Sequence, residues 1–305
     1  VLYIGITPNP ARWSTWPKAA QVNAAIKALA ATAPGLHYID IPAAFLKMGQ
    51  PPPTGLFVSD KLHLNEAGYK LWTSVIKPEV LKVAPPVAYQ TPAGQPIKGS
   101  RALVDFGPDD GINGNATVSP DAQGQHWNGW TKKSGGAVTL PGEALGLKTA
   151  DGKATPWRLV LGGIFTPNGL NNGGLKAPMV THLGQLAVAT ATQDYFYVDK
   201  SNGDQGMAIT GLDPKRLYKL RFFASREWSG ETRITRYTVT GAGTLATTTL
   251  KTSGNNIGVN GYDGNNTTMV ALNNLRPDAH GKLHLHMRAE SGSYAYLSLL
   301  ELTAW

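Results

Sequence analysis

The run Leu217-Tyr218-Lys219-Leu220-Arg221-Phe222-Phe223-Ala224 puts Tyr218, Leu220, Phe222 and Ala224 on one side of an extended chain, with Lys219 and Arg221 on the other. That period of two is the pattern of a strand with one face in a core. Residues 234–240, 268–272 and 282–287 behave similarly, and clusters rich in Gly and Asn, at 171–174 and 255–266, separate such runs. Roughly ten short strands spread over residues 101–305 predict an all-β sandwich, most simply a jelly-roll-like one. No tandem repeat is present.

Upstream the pattern changes. Residues 84–100 (APPVAYQTPAGQPIKGS) hold Pro85, Pro86, Pro92 and Pro96 and almost no apolar periodicity, which reads as a Pro-rich linker. Within residues 1–83, apolar runs at 2–6 and 38–41 read as strands buried on both faces of a parallel sheet. Between them Pro17 suits a first helical turn, and Val22, Ile26, Leu29 and Ala33 recur at helical spacing up to the Pro34-Gly35 stop. A second helix starts at Asn65, a natural cap, with Glu66 and Lys70 one turn apart and Leu71 and Val75 facing inward; Pro78 should kink or end it. Strand, helix, strand, helix is the order of an α/β parallel sheet.

Composition narrows the function classes. Of 305 residues 42% are hydrophobic and 16% charged, which excludes a disordered chain and a coiled coil. The net charge of +8 is not gathered into a basic stripe or tail, so no nucleic-acid partner is expected. The absence of cysteine removes disulfides, thiol catalysis and thiolate metal sites. No apolar run approaches the ~20 residues of a membrane span. The first residue, Val1, falls within a strand-like run, with neither an initiator Met nor a signal peptide, as in a processed or truncated product.

One segment carries a recognisable chemical logic: Val58-Ser59-Asp60-Lys61-Leu62-His63-Leu64-Asn65-Glu66-Ala67-Gly68-Tyr69. A carboxylate three residues before an imidazole can accept the Nδ1 proton across a tight turn and leave Nε2 as a general base. The plain alternative is a hydrogen-bonded loop histidine. The segment resembles the last block of the SGNH, or GDSL, hydrolase family, in which Asp-x-x-His precedes a helix start matched here by Leu64, Asn65, Gly68 and Tyr69. The opening Tyr3-Ile4-Gly5-Ile6-Thr7-Pro8-Asn9-Pro10-Ala11-Arg12-Trp13 resembles the strand and turn of carbohydrate-esterase members. The resemblance covers residues 1–82. It implies the C-terminal part of a flavodoxin-like domain, with His63 as base and Asp60 as third member of a Ser-His-Asp triad that hydrolyses an ester through an acyl-enzyme.

The Gly-Asp-Ser and Gly-x-Asn-Asp blocks that supply the family's nucleophile and oxyanion donors are absent; Gly203-Asp204 is followed by Gln205. The expectation is therefore a chain that is silent alone, because the pair has nothing to activate. A parallel sheet also needs more strands than residues 1–83 supply, so a complementary hydrolase segment, in the same gene product or a second chain, is an expected partner.

Residues 101–305 resemble a β-sandwich appended to bacterial polysaccharide-active esterases, through residues 102–107, 119–128, 223–226 and 233–239. That resemblance implies carbohydrate binding, for which Trp127, Trp130, Trp228 and Tyr262, all in Gly- or Asn-rich turns, are the candidates; core packing is the alternative for each. His284 and His286 share a strand face but lack a third zinc ligand nearby. Asp199, Asn202 and Asp204 begin a calcium-loop pattern without its closing Glu. Arg226, Arg233 and Arg236 could pair with acidic sugars. The expected function is removal of acyl groups, acetyl foremost, from a polysaccharide in an extracytoplasmic, bacterial setting, without cofactor or metal. The alternatives are a non-catalytic carbohydrate-binding or adhesion protein, and an esterase of lipids or polyesters.

Overall fold

A computed structural model describes residues 1–83, 89–132 and 138–305 and divides the chain into two compact units, Val1–Ala88 and Tyr89–Trp305. Residues 84–88 of the expected linker lie outside the described residues.

In the first unit β1 (Leu2–Ile4), α1 (Trp16–Ala30), β2 (His37–Ile39), α2 (Ile41–Met48) and α3 (Glu66–Val83) follow in order. β1 and β2 pair in parallel, Leu2 opposite His37 and Ile4 opposite Ile39. The expected burial of β1 on both faces does not occur: Leu2, Ile4 and Ile6 are exposed, because β2 is its only partner among the described residues and no second layer covers it. Nor does the apolar stripe of α1 point inward. Val22 and Leu29 are exposed, and the buried residue is Asn23, whose side-chain amide accepts from Ile6 N (2.8 Å) and donates to Ile6 O (3.1 Å). It takes the place of a neighbouring strand for that peptide.

Ile41 is helical rather than extended, since Asp40 accepts from the Ala43 amide and caps α2. Asn65 Oδ1 accepts from Gly68 N at the start of α3, which contains Pro78 and runs on to Val83. A Cβ on Gly68 would stand 2.2 Å from Leu56 O, so the first turn of α3 can approach that backbone only without a side chain. The core is small: Ile39, Ile41, Phe45, Leu56 and Phe57, flanked by Leu64, Leu71 and Val75.

The second unit is a β-sandwich. Its elements are β3 (Arg101–Pro108), β4 (Trp127–Lys132), β5 (Ala144–Lys148), β6 (Ala154–Leu161), β7 (Thr166–Asn168), α4 (Val180–Leu183), α5 (Ala189–Thr192), β8 (Tyr195–Asp199), β9 (Gln205–Thr210), β10 (Tyr218–Phe223), β11 (Arg233–Gly241), β12 (Thr244–Ser253), β13 (Val270–Leu275), β14 (Leu283–Ser291), β15 (Tyr294–Leu297) and β16 (Leu299–Ala304). One sheet runs β13-β10-β16-β3-β4, a second β12-β11-β14-β9-β6-β5, and a small third β15-β8-β7.

Alternation decides the packing. Tyr218, Leu220 and Phe222 of β10 join Val104, Phe106, Leu300 and Leu302 against Trp157, Ile209, Tyr237 and Leu285 of the facing sheet, and Phe222 stacks on Tyr237 at 4.5 Å. The opposite face of the first sheet is also covered: Leu103, Phe223 and Leu299 pack with Trp127 beneath Leu183, Leu186 and Ala191. Residues 89–100, read from the sequence as linker, instead pack on this unit. Tyr89 donates its hydroxyl to Leu212 O, and Gln95 donates to Gly211 O while accepting from Trp157 Nε1.

Candidate functional site

Among the described residues, each unit holds a cluster of chemically capable side chains. In the first, Asp60 and His63 meet within one turn. Asp60 Oδ1 accepts from the amides of Leu62 (2.8 Å) and His63 (3.0 Å), which turns Oδ2 onto His63 Nδ1 at 2.6 Å. Lys61 between them adopts a positive φ of 57°, the geometry that folds the chain back this tightly. The hydrogen bond to the His63 ring, followed by those to the two amides, holds the Asp60 carboxyl down at about 2. Ala11 N donates to Lys61 O (3.2 Å), so the turn after β1 and the Asp-x-x-His loop, about fifty residues apart in sequence, lie side by side. Both side chains are open to solvent, 73% for His63 and 45% for Asp60, and Nε2 has no hydrogen bond among the described residues.

In the second unit the candidate tryptophans separate. Trp127 and Trp130 are only 5% and 6% exposed, one under the α4–α5 segment and the other in the inter-sheet core, so neither presents a ring face to a sugar. Trp127 instead donates Nε1 to Asp121 at 2.8 Å. Trp228 is 47% exposed, and the Arg226 guanidinium lies over its ring at 5.6 Å. Tyr262 is partly buried against the same cluster as Trp127. His284 lies 3.7 Å from Asp278, Asp199 caps a turn through Ser201, and Asp204 lies 3.7 Å from Arg288. Arg236 pairs with Glu290.

Arg226 leads to a pocket not foreseen from the sequence. A cavity of about 230 Å³ is lined by Tyr195 and Tyr197 of β8, Tyr294 and Tyr296 of β15, and Arg226, Arg233 and Asn172. The period of two puts each Tyr pair on one strand face, and the antiparallel register sets Tyr296 opposite Tyr197. The rings meet edge to face, Tyr195 and Tyr296 at 4.8 Å and Tyr197 and Tyr294 at 5.5 Å. Arg233, almost fully buried, lies 4.8 Å over the Tyr294 ring, donates to the Tyr296 hydroxyl, and is anchored by Glu231 at 2.6 Å.

Burial is the largest influence and opposes the Arg233 charge, but the hydrogen bond to Glu231, the charges of Tyr296 and Glu231 and the hydrogen bond to Tyr296 together outweigh it, and the guanidinium is held even more firmly protonated than usual. Burial pushes Tyr195 up, and Tyr296 up to about 12, so these phenols stay donors at neutral pH. Gly173, at φ +83°, leaves room for Arg226: a Cβ there would sit 2.1 Å from its Nη1. The signal in the sequence was the repeated Tyr-x-Tyr of 195–197 and 294–296, which only pairing across the fold turns into a cluster.

No family model matches this chain, and no curated protein matches it, so the SGNH resemblance of residues 1–82 rests on its motifs. Among solved structures it is similar to TmCBM61 in complex with β-1,4-galactotriose, with 11% identity over 49% of this chain and 89% of that one and a TM-score of 0.26. It is also similar to the K1 cleaved adhesin domain of Lys-gingipain from Porphyromonas gingivalis, at 11% identity, 56% and 99% coverage and a TM-score of 0.28. A DUF4465 family protein from Bacteroides caccae matches at 12% identity, 62% and 99% coverage and a TM-score of 0.29. At such scores no residue role carries over from them. Among the described residues no helix is long and apolar enough to cross a membrane.

Proposed function

We propose that the β-sandwich unit is a carbohydrate-binding module, and that its ligand, a glycan bearing carboxylates, enters the tyrosine–arginine pocket. The observation that carries this reading is the convergence of four phenols and two guanidiniums on one cavity, with exposed Trp228 beside Arg226. Phenol O–H and guanidinium N–H groups are donors, and a carboxylate is the acceptor that takes a guanidinium fork in bidentate fashion. Tyr and Trp rings add flat apolar faces for the C–H side of a sugar. The volume is small for ligand pockets, which span about 300–1,000 Å³, and suits a single ring of a longer chain.

Calorimetric titration with polygalacturonate, alongside neutral galactan, tests the reading. Binding of the acidic polymer that weakens at least tenfold in Arg226→Ala and in Trp228→Ala is expected. Equal binding of the neutral polymer would remove the carboxylate from the reading, and unchanged binding by both variants would remove the pocket.

A second reading is favoured by one observation, the 2.6 Å contact of His63 Nδ1 with Asp60. Residues 1–83 would supply the base and its orienting acid to an ester hydrolase that deacylates the same glycan, with the serine and oxyanion donors contributed by a separate segment. Hydrolysis of p-nitrophenyl acetate should then appear only when a segment containing Gly-Asp-Ser is added, and vanish in His63→Ala. Turnover by this chain alone would contradict it.

A further inference from the structure

The wall of the tyrosine–arginine pocket has a second side. Asn172 and Arg226 line the pocket, whereas Gly174 and Glu227, a step further along the same two segments, line a separate cleft of about 460 Å³. The Glu227 amide ties the segments together by donating to Gly173 O at 2.6 Å, and Arg226 Nη1 turns back onto Glu227 O at 2.8 Å. Glu227 and Trp228 are exposed where the wall meets solvent. Because neighbouring Cα atoms lie about 3.8 Å apart, the two cavities stand back to back at a spacing that successive sugars of one chain can bridge.

The cleft differs from the pocket in charge. Two guanidiniums converge on the pocket, and Glu231 meets only that of Arg233, which leaves Arg226 as its uncompensated cation. The cleft instead holds one carboxylate, Glu227, and one ammonium, Lys176, and neither side chain has a hydrogen bond or ion pair among the described residues. Its net charge is therefore zero. Tyr262 buries its hydroxyl, so its side chain offers the cleft only ring, beside Met179 and Val259. Both walls are fixed in advance. Asn266 accepts from Val259 N (3.0 Å) and donates to Val259 O (3.2 Å), while Leu175 N donates to Thr192 O (2.9 Å) and Leu175 O accepts from the Thr192 hydroxyl (2.8 Å). A free carboxylate accepts from sugar hydroxyls, and a uronate brought to the same place would set like charge against Glu227.

We propose that this cleft binds a neutral sugar linked to the uronate held by Arg226, so that the ligand is a mixed glycan in which acidic residues are joined to neutral ones. The proposal rests on the reading of the tyrosine–arginine pocket given above and narrows its substrate class. Glu227 accepts from hydroxyls of the neutral ring, Lys176 donates to a ring or hydroxyl oxygen, and the apolar surface of Tyr262, Met179 and Val259 takes the C–H side. A polymer of uronates alone would fill the pocket but bring a second carboxylate to Glu227. A wholly neutral polymer would fill the cleft and leave the Arg226 guanidinium without an acceptor. Selection thus comes from the pairing each cavity rejects as well as from the one it accepts.

The test is calorimetric titration of the full chain with two tetrasaccharides, one alternating galacturonate with rhamnose, the other of galacturonate alone. The alternating ligand should bind more tightly by about tenfold. Glu227→Gln changes an exposed side chain that has no partner to lose, and it should move the two affinities in opposite directions: the alternating ligand weaker by about fivefold, tetragalacturonate stronger by about twofold. Arg226→Ala should weaken both. Equal affinity of the wild type for the two ligands, lost for both in Arg226→Ala, would overturn the mixed-glycan proposal and leave the uronate pocket standing. A Glu227→Gln effect of the same sign on both ligands would also overturn it. Binding of neither ligand by the wild type would remove the pocket and the cleft together.

Discussion

The two units spend their apolar residues differently. Among the described residues, the first buries five hydrophobic side chains and leaves Leu2, Ile4, Ile6, Val22 and Leu29 in water; the second closes an inter-sheet core around Trp157, Phe222, Tyr237 and their neighbours. Their charges follow suit. Asp60–His63 and Glu66–Lys70 lie at the surface, whereas Glu301 and Arg233 are themselves buried and meet partly exposed partners. One polypeptide therefore offers the same kinds of contact in high and in low dielectric, and their energetic weights should differ accordingly.

The largest effect should come from the cores. Trp157→Ala removes a fully buried indole that stacks edge-on with Tyr218 and bonds Gln95, and should cost about 3–5 kcal/mol. Phe45→Ala in the first unit should cost a similar amount locally. Scanning calorimetry should resolve two transitions, each variant lowering one of them. A single transition lowered by both would break the division into units.

Next comes the contrast between ion pairs. Glu301→Gln leaves two partly exposed guanidiniums with a weakened acceptor and should destabilise by about 2–3 kcal/mol, a buried-pair loss reduced for the exposure of Arg101 and Arg221. Glu66→Gln breaks the exposed contact with Lys70 and should change stability by less than about 0.5 kcal/mol. Denaturant midpoints for the two variants that moved equally would remove the dielectric argument.

The same contrast explains what was legible from sequence. The alternation at residues 218–224 identified a strand because one face of β10 is dry, and periodicity reports such a difference between faces. The spacing of Val22, Ile26 and Leu29 predicted the helix α1, but apolar spacing says which residues share a face, not that anything covers it, and Val22 and Leu29 are exposed. Asp60 and His63 were visible because three residues separate them and the turn is local. The tyrosine–arginine pocket was not, since it joins residues as distant as Asn172 and Tyr296. Trp127 and Trp130 sit in turn-like sequence, yet β4 pairs in parallel beside β3 and carries both indoles inside.

A smaller effect sharpens the pocket itself. Gly173→Ala forces a side chain onto a positive φ and into the Arg226 guanidinium, so glycan affinity should fall about tenfold, roughly 1.4 kcal/mol, with about 1 kcal/mol lost in stability. Unchanged affinity would mean that Arg226 does not meet the ligand from where it now lies.

The smallest effect is the most direct probe of the first unit. Asp60 titrates at about 2 in the folded chain against an ordinary 3.8, so whatever stability its ionised form contributes is present above pH 3.8 and is lost as pH falls through about 2. Exposure keeps that contribution slight, and thermal melts should barely register it. The carboxyl carbon resonance of Asp60 should register it fully, with a midpoint near 2. In His63→Ala the leading hydrogen bond disappears while the Leu62 and residue-63 amides remain, so the midpoint should rise and yet stop short of 3.8. A wild-type midpoint at 3.8 would mean that the imidazole is not held by Asp60 in solution. A base without its orienting acid would leave the hydrolase reading with no chemistry of its own, and the tyrosine–arginine pocket of the second unit as the remaining candidate site.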